Sequence, residues 1–143
     1  MKSFQSLRLT LRYHKKLNIK FWHERSLRPE VREKLLQIGY KWAEFAKIPF
    51  EAIKDMILVG GNANYNYTRF SDLDLHLVVD KSKIADCPEL LDDYLRDKKK
   101  LWALVHDIKI YSHPVELYAQ DENDPLPANQ GVYSIIKGEW ILE

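Results

Sequence analysis

The sequence contains only one cysteine, Cys87, among 143 residues. A single thiol excludes a disulfide within the chain and a zinc site built from several thiolates, and it favours a reducing, cytoplasmic environment. The sequence also lacks an apolar run long enough to cross a bilayer and the apolar stretch of a signal peptide, so we expect no membrane partner. Lys and Arg number 22 against 21 Asp and Glu, so no overall field attracts nucleic acid or anionic lipid.

What the sequence does contain is the composition of one folded domain, with 45% hydrophobic and 30% charged residues. Positive charge gathers at the N-terminus, where Glu24 is the only acid before residue 26. The cations there are Lys2, Arg8, Arg12, Lys15, Lys16, Lys20 and Arg25. We interpret residues 1–17 as a basic N-terminal arm and residues 18–143 as a single domain. The arm is either a solvated extension or a surface that contacts nucleic-acid phosphates.

Two amphipathic helices are predicted from the apolar periodicity. Pro29 suits the first turn of a helix that presents one apolar stripe, and Pro49 ends it. The stripe consists of Val31, Leu35, Ile38, Trp42 and Phe45. A second helix begins at Pro88 and runs to Val105.

Short apolar or alternating segments predict the strands. They cover residues 56–59, 72–80, 108–111 and 115–119, with a turn at residues 112–114 between the last two. The final segment, residues 131–143, predicts another hairpin that turns at Lys137 and Gly138. This order of elements predicts an α/β or α+β fold, with a mixed sheet of about four to five strands flanked by helices.

Two aspartates mark the most informative strand. Because side chains alternate along a strand, Asp72, Asp74 and His76 share one face, and leucines occupy the other. Carboxylates about 7 Å apart on one face repel each other, and a divalent cation with oxygen ligands relieves that repulsion. The pattern also fits acids on a solvated strand. His76 either contacts metal or substrate or hydrogen-bonds beside the site, and the other histidines lack metal-ligand spacing.

A glycine pair, Gly60 and Gly61, directly follows the apolar strand 56–59. Glycines allow positive φ and close approach of the backbone, and successive free N–H groups at such a turn can bind phosphate. An ordinary tight turn is the alternative explanation. Ten residues separate Gly61 from Asp72, and this loop can bring the carboxylates back beside the turn.

Together these motifs resemble the DNA polymerase β-like nucleotidyltransferase superfamily, in which an apolar strand, Gly-Gly or Gly-Ser, a loop of similar length and Asp-x-Asp follow in order. The matching residues here are 58–61 and 72–75. Further segments resemble a narrower group of small nucleotidyltransferase-like proteins, many of them encoded by bacteriophages. These segments are residues 27–38, 63–80, 98–102, 113–121 and 131–141. The resemblance implies a minimal nucleotidyltransferase fold, in a bacterial or phage-infected cell.

The resemblance also implies a third carboxylate on a neighbouring strand. Glu116 is the only acid inside the predicted strand 115–119, and Asp121, expected in the loop after it, is the rival. The catalytic residues implied by the superfamily are then Asp72, Asp74 and Glu116, which would also be the ligands of Mg²⁺ or Mn²⁺.

A phosphate-binding corner is implied as well. Gly60, Gly61 and Ser71 would bind the phosphates of the nucleotide. Arg69 either adds positive charge there or lies in an exposed loop. Two tyrosines of the same loop either stack on a base or anchor the loop.

The implied activity is that of a metal-dependent nucleotidyltransferase, which moves a nucleoside monophosphate from an NTP to an acceptor hydroxyl and releases pyrophosphate. The nucleotide and the acceptor stay open, because an RNA end, a protein and a small molecule are all compatible with the sequence. Little of the chain remains for an acceptor-binding domain, so a partner or a second copy in a homodimer is expected to present the acceptor. The alternative is a non-catalytic regulatory module of the same fold that binds nucleotide or nucleic acid.

Overall fold

The computed structural model of the protein describes residues 14–84, 88–127 and 130–142. Cys87 and most of the predicted arm lie outside these ranges. The described residues form an α+β fold with two helices, a two-stranded sheet and a six-stranded mixed sheet. This confirms the predicted fold class, although the main sheet has more strands than the four to five expected. Neither described helix has an apolar stretch of the length needed to span a membrane.

The elements follow the predicted order closely. The small sheet pairs β1 (Trp22–His23) with β2 (Ser26–Leu27). The helices are α1 (Pro29–Phe45) and α2 (Pro88–Val105), in agreement with the periodicity and the flanking prolines. The main sheet contains β3 (Ile53–Val59), β4 (Leu73–Val79), β5 (Lys109–Ile110), β6 (His113–Asp121), β7 (Val132–Ser134) and β8 (Glu139–Leu142).

The main sheet has the strand order β5-β6-β4-β3-β7-β8. Strands β4 and β6 are parallel, and α2 connects them, whereas the other neighbouring pairs are antiparallel. In this register Asp74 lies between Val59 on one side and Glu116 on the other. The parallel pair therefore brings two acids that are far apart in sequence into one row across the sheet.

Both helices pack on the same face of the sheet. Alternation along β4 buries Leu73, Leu75 and Leu77 completely, and they join apolar side chains of α1 and α2 in one core. The helices also contact each other, because Phe45 packs edge-on against Trp102 with ring centroids 5.4 Å apart. The side chains of Asp72, just before β4, and of Asp74, within it, consequently lie on the opposite face of the sheet.

The N-terminal segment belongs to the core from Leu17 onward. Leu17, Phe21 and Trp22 are buried, and the indole Nε1 of Trp22 donates a hydrogen bond of 2.7 Å to the carbonyl of Asn62. The strands β1 and β2 in this segment were not predicted. Two-residue strands carry too little alternation to be recognised in a sequence.

The hairpin between β5 and β6 turns earlier than predicted. Ile110 pairs with His113, so the turn consists of Tyr111 and Ser112, which both have positive φ (49° and 69°). Two left-handed residues match the twist of a hairpin, but the usual glycine and asparagine are absent here. The prediction of a turn at residues 112–114 is therefore wrong, since His113 is already in β6. The C-terminal hairpin is confirmed, with Gly138 at φ 71°.

Candidate metal and nucleotide site

Three carboxylates converge on the face of the sheet opposite the helices. Asp72 directly precedes β4, Asp74 lies within it, and Glu116 lies opposite Asp74 on β6. One oxygen from each of these residues lies within 4.8 Å of the oxygens of the other two. The structure therefore brings together the three acids that the sequence analysis singled out, in an arrangement that can hold a metal ion.

Two of the three carboxylates, Asp72 and Asp74, have raised pKa values. Burial and then the negative charge and hydrogen bond of Glu116 raise the pKa of Asp72. Burial, followed by the charge of Glu116, also raises the pKa of Asp74, although nearby His76 lowers it in part. A bound divalent cation would stabilise the ionised carboxylates, because its positive charge offsets the repulsion between them.

Gly60 lies against this cluster. Its φ of 77° is in the left-handed region, and a Cβ atom at this position would collide with Oδ2 of Asp74. Only glycine fits both requirements, because it has no Cβ and adopts positive φ without strain. Glycine is therefore required at this position by the backbone conformation and by the contact with Asp74.

Gly61 and Ser71 lie next to each other in the same corner. A Cβ added to Gly61 would lie 3.2 Å from Oγ of Ser71. The hydroxyl of Ser71 accepts a hydrogen bond of 2.8 Å from the backbone N–H of Thr68. The loop thus folds back, as its length predicts, and places Ser71 and the adjacent acid beside the glycine pair.

Asn62 fixes this loop, a role that was not predicted from the sequence. Asn62 is fully buried, and its Nδ2 donates to the carbonyls of Ser71 (3.0 Å) and Asp72 (2.9 Å). Its Oδ1 accepts a 3.0 Å hydrogen bond from Asn18. A polar side chain immediately after a glycine pair is the one available signal, but its partners depend on the fold.

His113 supports the same segment from the other side. The ring is fully buried, and Nδ1 donates to the carbonyl of Ser71 at 2.7 Å because a carbonyl only accepts. In this tautomer Nε2 accepts from Nζ of Lys20, 3.4 Å away. No spacing in the sequence gave an indication of this supporting role of His113.

His76 hydrogen-bonds within the sheet. Its Nδ1 lies 2.7 Å from Oε1 of Gln120, and its ring lies 5.0 Å from that of Tyr118. This contact fits the second of the two predicted roles, a hydrogen-bonded residue beside the acids.

Asp121 is separated from the carboxylate cluster. It ends β6 in register with Val79, and it is not in the following loop as expected. The backbone N–H groups of Lys81 and Asn123 donate to its carboxylate and lower its pKa. Asp121 therefore stabilises the turn at the opposite end of the strands, and Glu116 is the third acid of the cluster.

The remaining predicted residues lie on the loop between the glycine pair and β4. Arg69 is exposed and lies over the ring of Phe70, 4.8 Å from its centroid. Tyr67 stacks on His14 at 3.9 Å and donates to the carbonyl of Lys16, so it anchors the loop. Lys99 on α2 brings positive charge to the cluster, because its Nζ lies 3.5 Å from Oε1 of Glu116.

No family model, curated protein or solved structure matches the chain. The geometry of this site and the motifs in the sequence are therefore the basis on which a function can be proposed.

Proposed function

We propose that the protein is a metal-dependent nucleotidyltransferase that transfers a nucleoside monophosphate from an NTP to an acceptor hydroxyl. The observation that supports this most strongly is the approach of Asp72, Asp74 and Glu116, whose carboxylate oxygens lie within 4.8 Å of one another. The packing of Gly60 against the same cluster adds a second, independent feature of such a site.

The donor set fits a hard divalent cation. All three groups are carboxylates, and oxygen ligands are those that Mg²⁺ and Mn²⁺ prefer. Asp72, Asp74 and Glu116 would hold the metal. When bound, the metal would supply Lewis acidity toward the acceptor hydroxyl and neutralise the negative charge of the polyphosphate.

The glycine corner would bind the phosphates. Gly60 has no side chain to block access to the backbone N–H groups at the start of the short helical turn Gly61–Ala63. Backbone N–H groups in such a concave turn bind anions. Ser71, adjacent to Gly61, adds a hydroxyl to the same corner.

In the transfer step the acceptor oxygen attacks the α-phosphorus of the NTP. A new P–O bond forms, the bond to the β-phosphate bridging oxygen breaks, and pyrophosphate leaves with its electron pair. The hydroxyl proton is released to water.

The test is an assay of pyrophosphate release from each of the common NTPs with Mg²⁺ or Mn²⁺. Candidate acceptors are short RNA, the protein itself and small alcohols. We expect at least one combination to release pyrophosphate with the natural protein and none with Asp74→Asn, which keeps the shape of the side chain but removes its charge. Asp97→Asn, an exposed acid on α2, is the matched control and should retain activity.

The same assay separates the two function classes. Binding of metal and NTP without any pyrophosphate release from any combination would favour the non-catalytic module. If the protein neither binds nor consumes an NTP with either metal, the proposed function is wrong.

A further inference from the structure

Positive charge is concentrated on the first part of the chain that the structure describes. Residues 14–28 contain five cations and one acid, Glu24, whereas the whole chain has a net charge of only +1. The cations are Lys15, Lys16, Lys20, Arg25 and Arg28. Lys15, Lys16, Lys20 and Arg28 form no ion pair with any acid in the described ranges. Their charge is therefore available to an anionic ligand.

This surface is concave. Lys15, Lys16 and Arg28 line a cavity of about 450 Å³ together with Tyr65. A second cavity of about 240 Å³ is lined by Lys20, with Arg69 and His113 among its other residues. We call residues 14–28 with Tyr65 and Arg69 the basic surface.

The basic surface is held in a fixed shape by contacts with the rest of the fold. The backbone N–H of His14 donates to the carbonyl of Tyr65, and its ring stacks on Tyr67. Nε of Arg28 donates to the carbonyl of Ile19 at 2.9 Å. A preorganised set of cations loses less conformational freedom on binding than a flexible tail would.

Exposed apolar side chains lie among the cations. Phe70 is 75% exposed beneath the guanidinium of Arg69, and Ile19 is 68% exposed. Tyr65 lies at the edge of the larger cavity. Aromatic groups interleaved with cations bind unpaired bases by stacking while the cations contact the phosphates, whereas a duplex keeps its bases stacked within it. This combination favours a single strand over a duplex.

We propose that the basic surface binds the phosphate backbone of single-stranded nucleic acid. Lys20 of this surface contacts His113, and His113 donates to the carbonyl of Ser71, next to Asp72, so the basic surface and the carboxylates are close in the fold. A strand bound here would therefore be a suitable acceptor for the cluster. That consequence rests on the proposed function, but binding itself does not.

The test is fluorescence anisotropy of labelled single-stranded RNA of about 20 nucleotides, a length that covers such a site. The full chain is titrated in EDTA at several salt concentrations, so the measurement is independent of nucleotidyl transfer. Affinity for nucleic acid falls with salt, and removing a phosphate-contacting cation makes the negative slope of log affinity against log salt shallower by about 0.7 for a single strand. We therefore expect Lys15→Gln/Lys16→Gln to make the slope shallower by about 1.4 and to weaken binding at low salt.

The matched control is Lys34→Gln/Lys41→Gln, which removes two exposed lysines from α1 and should bind like the natural protein. Failure of the natural protein to bind RNA at low salt, or equal losses in both double variants, would overturn the inference. Tighter binding to a duplex, or to phosphatidylserine vesicles that RNA does not displace, would overturn it as well. Asp74→Asn should bind RNA normally in EDTA, so a loss of transfer and a loss of RNA binding are distinguishable.

Discussion

The carboxylate of Asp74 occupies the space in which any side chain at Gly60 would have to lie. Gly60 also has a φ of 77°, so the position excludes a side chain for two separate reasons. Gly60 directly follows β3, and Asp74 lies on the neighbouring strand β4, where it pairs with Val59. The glycine turn and the acidic cluster are therefore parts of one structural unit.

Gly60→Ala should destabilise the protein by about 3 kcal/mol, because the collision with Asp74 adds to the strain of positive φ. Gly138→Ala is the matched control, since Gly138 has a φ of 71° but its Cβ would meet only ordinary contacts with Arg32. That control should cost about 1 kcal/mol, the φ strain alone. The free energy of unfolding in urea measures both changes.

A double-mutant cycle isolates the collision. In an Asp74→Ala background, Gly60→Ala should cost clearly less than it does in the natural protein, because only the backbone strain remains. An undiminished cost in that background would show that Asp74 is not what excludes a side chain at Gly60.

Asp74→Asn should make the metal-free protein more stable at neutral pH. The pKa of Asp74 is raised in the folded state, so its favourable contribution is present at low pH and is lost as the pH rises through the folded pKa. Above that pH the negative charges of the cluster repel one another and oppose folding. Asparagine in place of Asp74 removes one of these charges. We expect a gain of about 1 kcal/mol in EDTA by urea unfolding. A loss of stability relative to Asp97→Asn would contradict this electrostatic account.

Metal binding should weaken as the pH falls. The pKa values of Asp72 and Asp74 are both raised by burial and by Glu116, so protons compete with the metal at a higher pH than for ordinary carboxylates. Mn²⁺ titrations from neutral pH down to the ordinary pKa of an aspartate side chain, about 3.9, should show a steady loss of affinity. An affinity that stays constant over this range would mean that these carboxylates do not bind the metal.

Much of the fold could be predicted because local signals coincide with it. Pro29, the stripe of α1 and the stop at Pro49 give the helix, and strict alternation in β4 gives its two faces. The sharing of one face by Asp72 and Asp74 follows from that alternation alone.

The rest depends on contacts between distant residues. The parallel register of β4 and β6 pairs Glu116 with Asp74. Glu116 was expected as the third acid because of the resemblance to the nucleotidyltransferase superfamily. The partners of Asn62 and His113 are backbone carbonyls of the loop before β4, and no spacing in the sequence marks them. The turn at Tyr111 was placed wrongly because non-glycine residues seldom adopt positive φ.

Asn62→Asp should destabilise the protein by about 3 kcal/mol, since a carboxylate would face the carbonyls of Ser71 and Asp72 and could no longer donate to them. Affinity for Mn²⁺ should also fall, because Asn62 fixes the backbone of Asp72. Asn66→Asp is the matched control, as Asn66 is exposed in the same loop. Equal behaviour of the two variants in urea unfolding and Mn²⁺ titration would contradict this role of Asn62.

Calorimetric titration of the natural protein and of Asp74→Asn with an NTP, in the presence and absence of Mn²⁺, tests the central claim most directly. If the carboxylate cluster and the glycine corner together hold a metal–nucleotide complex, the natural protein will bind at least one NTP only when Mn²⁺ is present, and Asp74→Asn will lose that binding while it remains folded. Equal binding of Mn²⁺ and NTP by both proteins, or none by the natural protein, would contradict the account.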